Sequence, residues 1–190
     1  MTDGFTIGGV TIGGRVLTAP MTGVSDLPFR RAASRLGAAY VATEMVACEL
    51  LAGGRPDVVR RAAVGDGLPL TVIQLVGRRA EWMAKGAKMA EAAGADIIDI
   101  NMGCPARHVT GGQSGSALMR DLDHAVSLIE ATISCMAGRC PGCAARRPGL
   151  GPMSFSWRVA RPIGWPRGPR SLKPPAPTSS ISIWAAPRGT

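Results

Sequence analysis

Short apolar runs alternate with longer segments of helical periodicity over the first 134 residues of the chain. Four of these runs have the length and the flanking turn residues of buried strands: 15–19, 38–43, 70–76 and 96–101. After them, apolar residues recur every three or four positions, best at 79–93 and 122–133. Strands that alternate with helices predict a parallel sheet with crossover helices, which is an α/β fold.

Residues that begin and end helices stand between these runs. Ser25 or Asp26 is predicted to cap the first helix, with Pro28 in its first turn and Gly37 at its end. Asp121 is placed to cap the last helix. The periodic segments therefore carry their own start and stop residues, which supports their assignment as helices.

Two stretches of the same region are less regular. The glycine-rich segment 5–14 predicts a hairpin before the first strand. The segment 46–63 predicts a helix that Gly53, Gly54 and Pro56 interrupt or divide.

The spacing of the strands predicts half of a (β/α)₈ barrel. The strands start near residues 15, 38, 70 and 96, which is close to the unit length of an eight-unit barrel of about 250 residues. A doubly wound sheet is the competing fold, but it would place a Gly-x-Gly-x-x-Gly turn after the first strand. Ala-Pro-Met-Thr-Gly stands there instead, at 19–23. We therefore predict the N-terminal half of a TIM barrel, with about four βα units.

Composition changes abruptly after residue 134. Residues 1–134 hold 13 Lys and Arg against 13 Asp and Glu, whereas residues 135–190 hold eight Arg, one Lys, no acid and 10 of the 15 prolines. We predict a barrel half over 1–134 and an irregular, Pro/Arg-rich tail over 135–190 that is either disordered or read out of frame. In the second case, a single-base shift after codon 134 would restore barrel sequence.

Cysteine content and hydropathy indicate the cellular compartment that we expect for the protein. Five cysteines without a secretory leader indicate reduced thiols, and the apolar runs are strand-sized, so we expect a cytoplasmic protein with no membrane contact. Cys135, Cys140 and Cys143 form a C-x₄-C-x₂-C cluster. We predict no metal site there, because a fourth ligand is missing nearby.

Candidate functional residues stand within or just after each predicted strand. They are Met21 with the preceding Pro20, then Glu44, Gln74 and Asn101, the last followed closely by Cys104. In a barrel of this kind, the functional groups lie at the carboxyl ends of the strands. Asp99 and Asn101 also share one face of their strand, because side chains alternate with a period of two.

These residues carry a resemblance to a known family. The chain resembles the tRNA-dihydrouridine synthases, in particular the bacterial branch sometimes labelled nitrogen-regulation protein, over about 70% of its length. The motifs that carry the resemblance, in order, are Ala-Pro-Met-Thr-Gly-Val-Ser-Asp-Leu-Pro-Phe-Arg at 19–30, Thr-Glu-Met at 43–45, Gln-Leu at 74–75, Asp-Ile-Asn-Met-Gly-Cys-Pro at 99–105 and Gly-Ser-Ala-Leu-Met at 115–119.

The resemblance implies a two-step flavin reaction on tRNA. NADPH would reduce FMN, and uridine would then be reduced to 5,6-dihydrouridine. Pro20, Met21, Gln74 and Asn101 match the flavin-binding residues, and Asn101 also matches a contact to the uracil. Cys104 matches the proton donor, and a thiol with a reference pKa of about 8.5 suits that role.

Arg107 follows the cysteine in a loop that is placed to touch tRNA phosphate. The family usually offers a lysine in this loop, and this sequence has none there.

The tail departs from the family pattern. The family's Lys-x-Arg and His-Gly-Arg motifs and its phosphate-binding glycine loops are not found in 135–190. We therefore expect this 190-residue chain to bind FMN weakly and to have little activity.

Two alternatives remain open from the sequence. One is another FMN-dependent barrel oxidoreductase, such as a relative of dihydroorotate dehydrogenase or old yellow enzyme. The other is an inactive fragment whose arginine-rich tail, with Trp157, Trp165 and Trp184, binds nucleic acid nonspecifically.

Overall fold

The protein is an α/β structure with a parallel core sheet. The computed structural model describes residues 4–7, 9–136, 155–158 and 182–185. In chain order the strands are β1 (Phe5–Ile7), β2 (Val10–Ile12), β3 (Val41–Ala42), β4 (Val46–Ala47), β5 (Thr71–Val76), β6 (Ile97–Asn101), β7 (Phe155–Arg158) and β8 (Ser182–Ala185). The α-helices are α1 (Leu27–Arg35), α2 (Cys48–Ala52), α3 (Pro56–Arg61), α4 (Ala80–Ala92), α5 (Arg107–Thr110) and α6 (Leu122–Met136), and a 3₁₀ helix spans Gly115–Arg120.

Two fully buried strands form the centre of the sheet. Every residue of β5 and of β6 is buried, which is typical of parallel strands that are covered on both faces. The two strands run parallel, with Val72 opposite Ile97 and Gln74 opposite Asp99. Strands β3 and β4 both pair with β5, also in parallel. The predicted strands at 70–76 and 96–101 are thus confirmed.

The two faces of this sheet bury different partners. One face, which we call the outer face, carries Ile73 and Ile98, and these belong to a core cluster that includes residues of α4 and α6. The opposite face, which we call the inner face, carries Val72 and Ile97, and these pack in a second cluster with residues of the antiparallel β1–β2 hairpin. The hairpin covers the apolar part of the inner face. The polar residues Gln74, Asp99 and Asn101 lie on the same face, closer to the carboxyl ends of the strands.

Helix boundaries follow the capping residues. Asp26 is the N-cap of α1, where its Oδ1 accepts a hydrogen bond from the backbone N–H of Phe29 at 2.9 Å. Gly37 has φ +91° just after α1, and Gly94 has φ +95° just after α4, so both glycines end their helices in a left-handed conformation. Asp121 Oδ1 accepts from the N–H of His124 at the start of α6. The predicted helix ends at Asp26, Gly37 and Asp121 are confirmed.

The first predicted strand is wrong, and the second is shorter than predicted. Residues 15–19 form no strand, and Val16 in this stretch is 85% exposed. The predicted strand at 38–43 shortens to β3. The predicted helix at 46–63 is divided as expected, with Gly54 at φ +71° and Pro56 at the start of α3. Its first two residues, however, form β4 rather than a helix.

The predicted irregular tail contains two strands. Strand β8 pairs with β6 in the antiparallel direction, with Asn101 opposite Ser182, and β7 pairs antiparallel with β8. These eight residues are the part of the predicted tail that the structure describes as strands. Helix α6 extends two residues past the predicted boundary at 134. The other residues beyond Met136, including Cys140 and Cys143 of the cysteine cluster, lie outside the described residues.

None of the helices in the described part of the chain has the length and apolar character needed to cross a membrane.

Candidate functional site

Three polar side chains meet at the carboxyl end of the inner sheet face. Gln74 of β5 lies opposite Asp99 of β6, and Asn101 follows Asp99 by two residues on the same face. All three are buried. The layer below them is apolar, since Val72 and Ile97 occupy the preceding positions of that face.

Hydrogen bonds join these side chains in a series. Gln74 Nε2 donates to Asp99 Oδ2 at 2.6 Å, and Asn101 Nδ2 donates to Gln74 Oε1 at 3.0 Å. Asn101 Oδ1 then accepts from the backbone N–H of Cys104 at 3.1 Å. We call this series, from Asp99 through Gln74 and Asn101 to the Cys104 amide, the strand-end network.

Two further side chains, Thr43 and Tyr40, lie next to the strand-end network. Thr43, directly after β3, accepts a hydrogen bond from the backbone N–H of Gln74 at 3.1 Å and donates to the carbonyl of Glu44 at 2.8 Å. Tyr40 is buried in the inner-face cluster. Burial raises the pKa of the Tyr40 hydroxyl, and the negative charge of Asp99 raises it further. The phenol below the network therefore stays neutral.

The loop after β6 carries Cys104 in a fixed backbone conformation. Its thiol is partly exposed, and its carbonyl accepts from the N–H of Ser116 at 3.0 Å. Gly115 has φ +59°, and a Cβ there would lie 2.6 Å from the Cys104 carbonyl oxygen and 2.8 Å from Val109 Cγ1. Only glycine fits this position, because both the backbone angle and the close approach exclude a side chain.

A second loop presents Pro20 and Met21. The buried Ser25 hydroxyl accepts from the backbone N–H of Met21 at 2.9 Å and donates to the carbonyl of Ala19 at 3.4 Å. The Met21 side chain is 37% exposed, and Pro20 is partly buried. The loop is thus held from inside by Ser25, and Met21 is exposed on its surface.

Charged side chains tie this loop to the rest of the strand edge. Glu44 Oε2 accepts from the N–H of Gly23 at 2.9 Å and lies 3.9 Å from Arg61 Nε. Arg30 is fully buried, where its Nε donates to the carbonyl of Ser25 and its Nη2 donates to the carbonyl of Ala63. Glu44 therefore links the Met21 loop to the end of β3. The buried Arg30 holds the same loop through its hydrogen bond to the Ser25 carbonyl.

A cavity of about 500 Å³ opens near the ends of β4 and β5. Cys48 and Val76 are among its apolar lining residues. Its basic lining residues are Arg61, Arg78, Arg79 and His108. Trp82 also lines the cavity, and its ring centroid lies 5.9 Å from the guanidinium of Arg79. Glu49 also lines the cavity, and Arg61 and Arg79 pair with acidic side chains, so the positive charge of the lining is partly neutralised.

The structure brings together only part of the predicted site. Gln74, Asn101 and Cys104 meet in the strand-end network. Among the described residues, no hydrogen bond joins Pro20 or Met21 to that network. Arg107 is exposed at the first residue of α5, three positions after Cys104.

Two contributors to the site were missed as site residues by the sequence reasoning. Asp99 was recognised only as sharing a face with Asn101, and its contact to Gln74 depends on the register between β5 and β6. Gly115 was noted within a motif, and its close approach to Cys104 is visible only in the fold. The alternation of Asp99 with Asn101 was the available signal for the first.

No cluster of three or more metal-binding side chains occurs within the described stretches of the chain.

Comparison with known proteins shows which family and which relatives the chain is similar to. The family model described as dihydrouridine synthase matches residues 17–137. A "Probable tRNA-dihydrouridine synthase" of Rhizobium leguminosarum bv. phaseoli is 53% identical over 127 residues, which cover 67% of this chain and 40% of the relative. The "tRNA-dihydrouridine synthase B" of Pseudomonas putida is 44% identical over 131 residues, covering 68% and 39%. The chain thus spans about 40% of the length of these curated relatives.

Proposed function

The chain belongs to the dihydrouridine synthase family, and we propose that its strand ends form the uridine-reducing site of a tRNA-dihydrouridine synthase. The observation that carries this proposal is the strand-end network, which ends at the backbone of a partly exposed cysteine. All of the predicted site residues lie within the matched range 17–137.

The proposed architecture is the first half of a (β/α)₈ barrel. Three features support it: β3, β5 and β6 are parallel neighbours, the outer face packs on helices, and the polar residues gather at the carboxyl end of the inner face. In barrels of this type, active sites are built at that end of the strands.

The donor set at the strand ends fits the ring system of FMN. Gln74 and Asn101 each use one N–H of the carboxamide within the network, so one N–H of each amide has no protein acceptor among the described residues. These donors match the carbonyl and ring-nitrogen acceptors of a flavin edge. Pro20 and the exposed part of Met21 would lie along the apolar ring.

In the proposed reaction, a bound flavin that NADPH has reduced would supply the hydride for carbon six of the uracil. Cys104 Sγ would give its proton to carbon five, which completes reduction of the double bond and leaves a thiolate to be reprotonated from solvent. Asn101 would contact the uracil, and the network would hold the Cys104 backbone while the proton is transferred.

The proposed partner is tRNA, which implies a cytoplasmic location. Arg107 is exposed beside the Cys104 loop, where a guanidinium can pair with a phosphate group of the tRNA backbone. The basic cavity opens near the ends of neighbouring strands. The family match favours this activity over other FMN-dependent barrel oxidoreductases.

A chimeric enzyme tests the proposed function without depending on the tail. Residues 17–137 of this chain would replace the matching segment of the Rhizobium leguminosarum relative. The chimera would be expressed in a strain that lacks dihydrouridine synthases, and dihydrouridine in tRNA would be measured by mass spectrometry. We expect dihydrouridine to be restored. A folded chimera that forms none, while the parent enzyme is active, would contradict the proposal.

A further inference from the structure

We propose that Asp99 is a positioning residue that sets the direction of every hydrogen bond in the strand-end network, and through it the backbone at Cys104. The link to proton transfer rests on the proposed function, whereas the positioning itself does not.

Burial makes Asp99 an unusual residue at this place. Its side chain is 2% exposed and lies above an apolar layer that contains Val72 and Ile97. A carboxylate in such surroundings is costly unless hydrogen bonds and charges compensate for the lost water. At 2.6 Å, the bond from Gln74 Nε2 has the short length of a charge-assisted hydrogen bond. The contact is therefore a strong constraint on Gln74.

The chemistry of a carboxylate gives the network one direction. An ionised carboxylate accepts hydrogen bonds and cannot donate them, so Gln74 must turn its nitrogen toward Asp99. The Gln74 oxygen then faces Asn101, which must present its own nitrogen. The Asn101 oxygen is thereby left to accept from the Cys104 N–H, as observed at 3.1 Å.

Asp99→Asn removes this direction while it keeps the size of the side chain. An asparagine can either donate to Gln74 or accept from it. In one of the two arrangements both carboxamides are reversed, and Asn101 turns its nitrogen toward the Cys104 N–H. Two donors then face each other, and the bond to the Cys104 amide is lost.

Moving the carboxylate from position 99 to position 74, which we call the charge swap, should restore the direction of the hydrogen bonds. In the Asp99→Asn, Gln74→Glu double variant, the carboxylate stands at position 74 and again can only accept. It accepts from residue 99 with one oxygen and from Asn101 with the other. Asn101 is then oriented as in the unaltered chain, so its oxygen again faces the Cys104 N–H.

Hydrogen–deuterium exchange at the Cys104 amide measures this directly, in the full chain without FMN, NADPH or tRNA. We expect the amide to be protected in the unaltered chain and to exchange roughly 2- to 10-fold faster after Asp99→Asn, the effect of weakening about one hydrogen bond. The charge-swapped variant should return to the unaltered rate. Thr132→Val is the matched control, because it removes a different buried hydrogen bond, 2.8 Å long, inside α6. It should leave exchange at Cys104 unchanged.

Three results would overturn the proposal. They are a Cys104 amide that exchanges in the unaltered chain as fast as in an unstructured peptide, a folded Asp99→Asn variant with the unaltered rate, and a folded charge-swapped variant that stays fast. If Asp99→Asn does not fold, the unaltered and charge-swapped chains still decide the matter. Because no cofactor or substrate is present, failure here is distinguishable from failure of the chimera.

Discussion

Single buried side chains hold the exposed residues of this site in place. Asp99 acts on the Cys104 loop, and Arg30 acts on the loop of Pro20 and Met21 by bonding the carbonyls of Ser25 and Ala63. Both are charged groups inside the protein, where each hydrogen bond compensates for lost hydration. At the scale of the residue, the candidate site therefore depends on buried charged groups as well as on its exposed residues.

Neighbouring arginines allow a matched test of this dependence. Arg30→Met should lower the free energy of unfolding by about 1–3 kcal/mol, because two carbonyls lose their donor. Arg31→Met changes an exposed side chain of the same helix and should have little effect. Urea denaturation followed by circular dichroism gives both values. Equal stability of the two variants would show that Arg30 does not brace the loop.

The thiol of Cys48 should be inert in the folded protein. Burial raises the pKa of Cys48 to about 12, and its Sγ lies 3.4 Å from Met83 Sδ. The raised pKa stabilises the fold below the ordinary thiol pKa of 9.0, and this contribution is lost as the pH rises toward about 12.

Alkylation with iodoacetamide at a pH of about 9, near the ordinary thiol pKa, followed by peptide mass mapping, tests this prediction. We expect the partly exposed Cys104 to be modified while Cys48 reacts only after urea is added. Modification of both cysteines at the same rate in the folded chain would contradict the burial of Cys48.

At the scale of the elements, fully buried strands could be predicted and marginal ones could not. Strands β5 and β6 are mostly apolar and are buried at every position, which is typical of a strand that is covered on both faces. The run at 15–19 has a similar composition, yet a segment becomes a strand only when a partner pairs with it. Its own pattern does not say whether one is present. The same reason explains why β3 is only two residues long.

The candidate site, like the strands, could be predicted only in part from the sequence. Gln74, Asn101 and Cys104 could be found because they lie within or just after the predicted strands, and the alternation of Asp99 with Asn101 placed both on one face. The contact between Asp99 and Gln74 could not be found, because it depends on strand register. Register is fixed by packing across the sheet.

The loop after β6 offers a prediction with a control three residues away. Gly115→Ala should destabilise the Cys104 loop by about 1–3 kcal/mol, because alanine is strained at φ +59° and its Cβ would lie 2.6 Å from the Cys104 carbonyl oxygen. Gly112→Ala would bring a Cβ no closer than 3.4 Å to Val109 O, which is ordinary contact. Thermal melts compare the two variants, and equal melting temperatures would argue against the tight packing at Gly115.

At the scale of the whole molecule, the proposed site supplies groups for the flavin ring, and among the described residues none has been assigned to the flavin phosphate. The family resemblance assigns the phosphate to glycine loops after the seventh and eighth barrel strands. We therefore predict that the 190-residue chain binds FMN weakly. A fluorescence titration with FMN measures the affinity, and submicromolar binding would contradict this prediction.

The central claim is that uridine reduction by this family's chemistry takes its proton from Cys104. In the chimera that carries residues 17–137, dihydrouridine formation should fall roughly 10²- to 10⁴-fold after Cys104→Ala, with bound flavin unchanged, because only general acid catalysis is removed. Cys135→Ala is the control, since Cys135 is buried in α6 away from the strand ends. Mass spectrometry of tRNA quantifies both variants. Loss in the first variant and retention in the second would support the claim, and full activity of Cys104→Ala would contradict it.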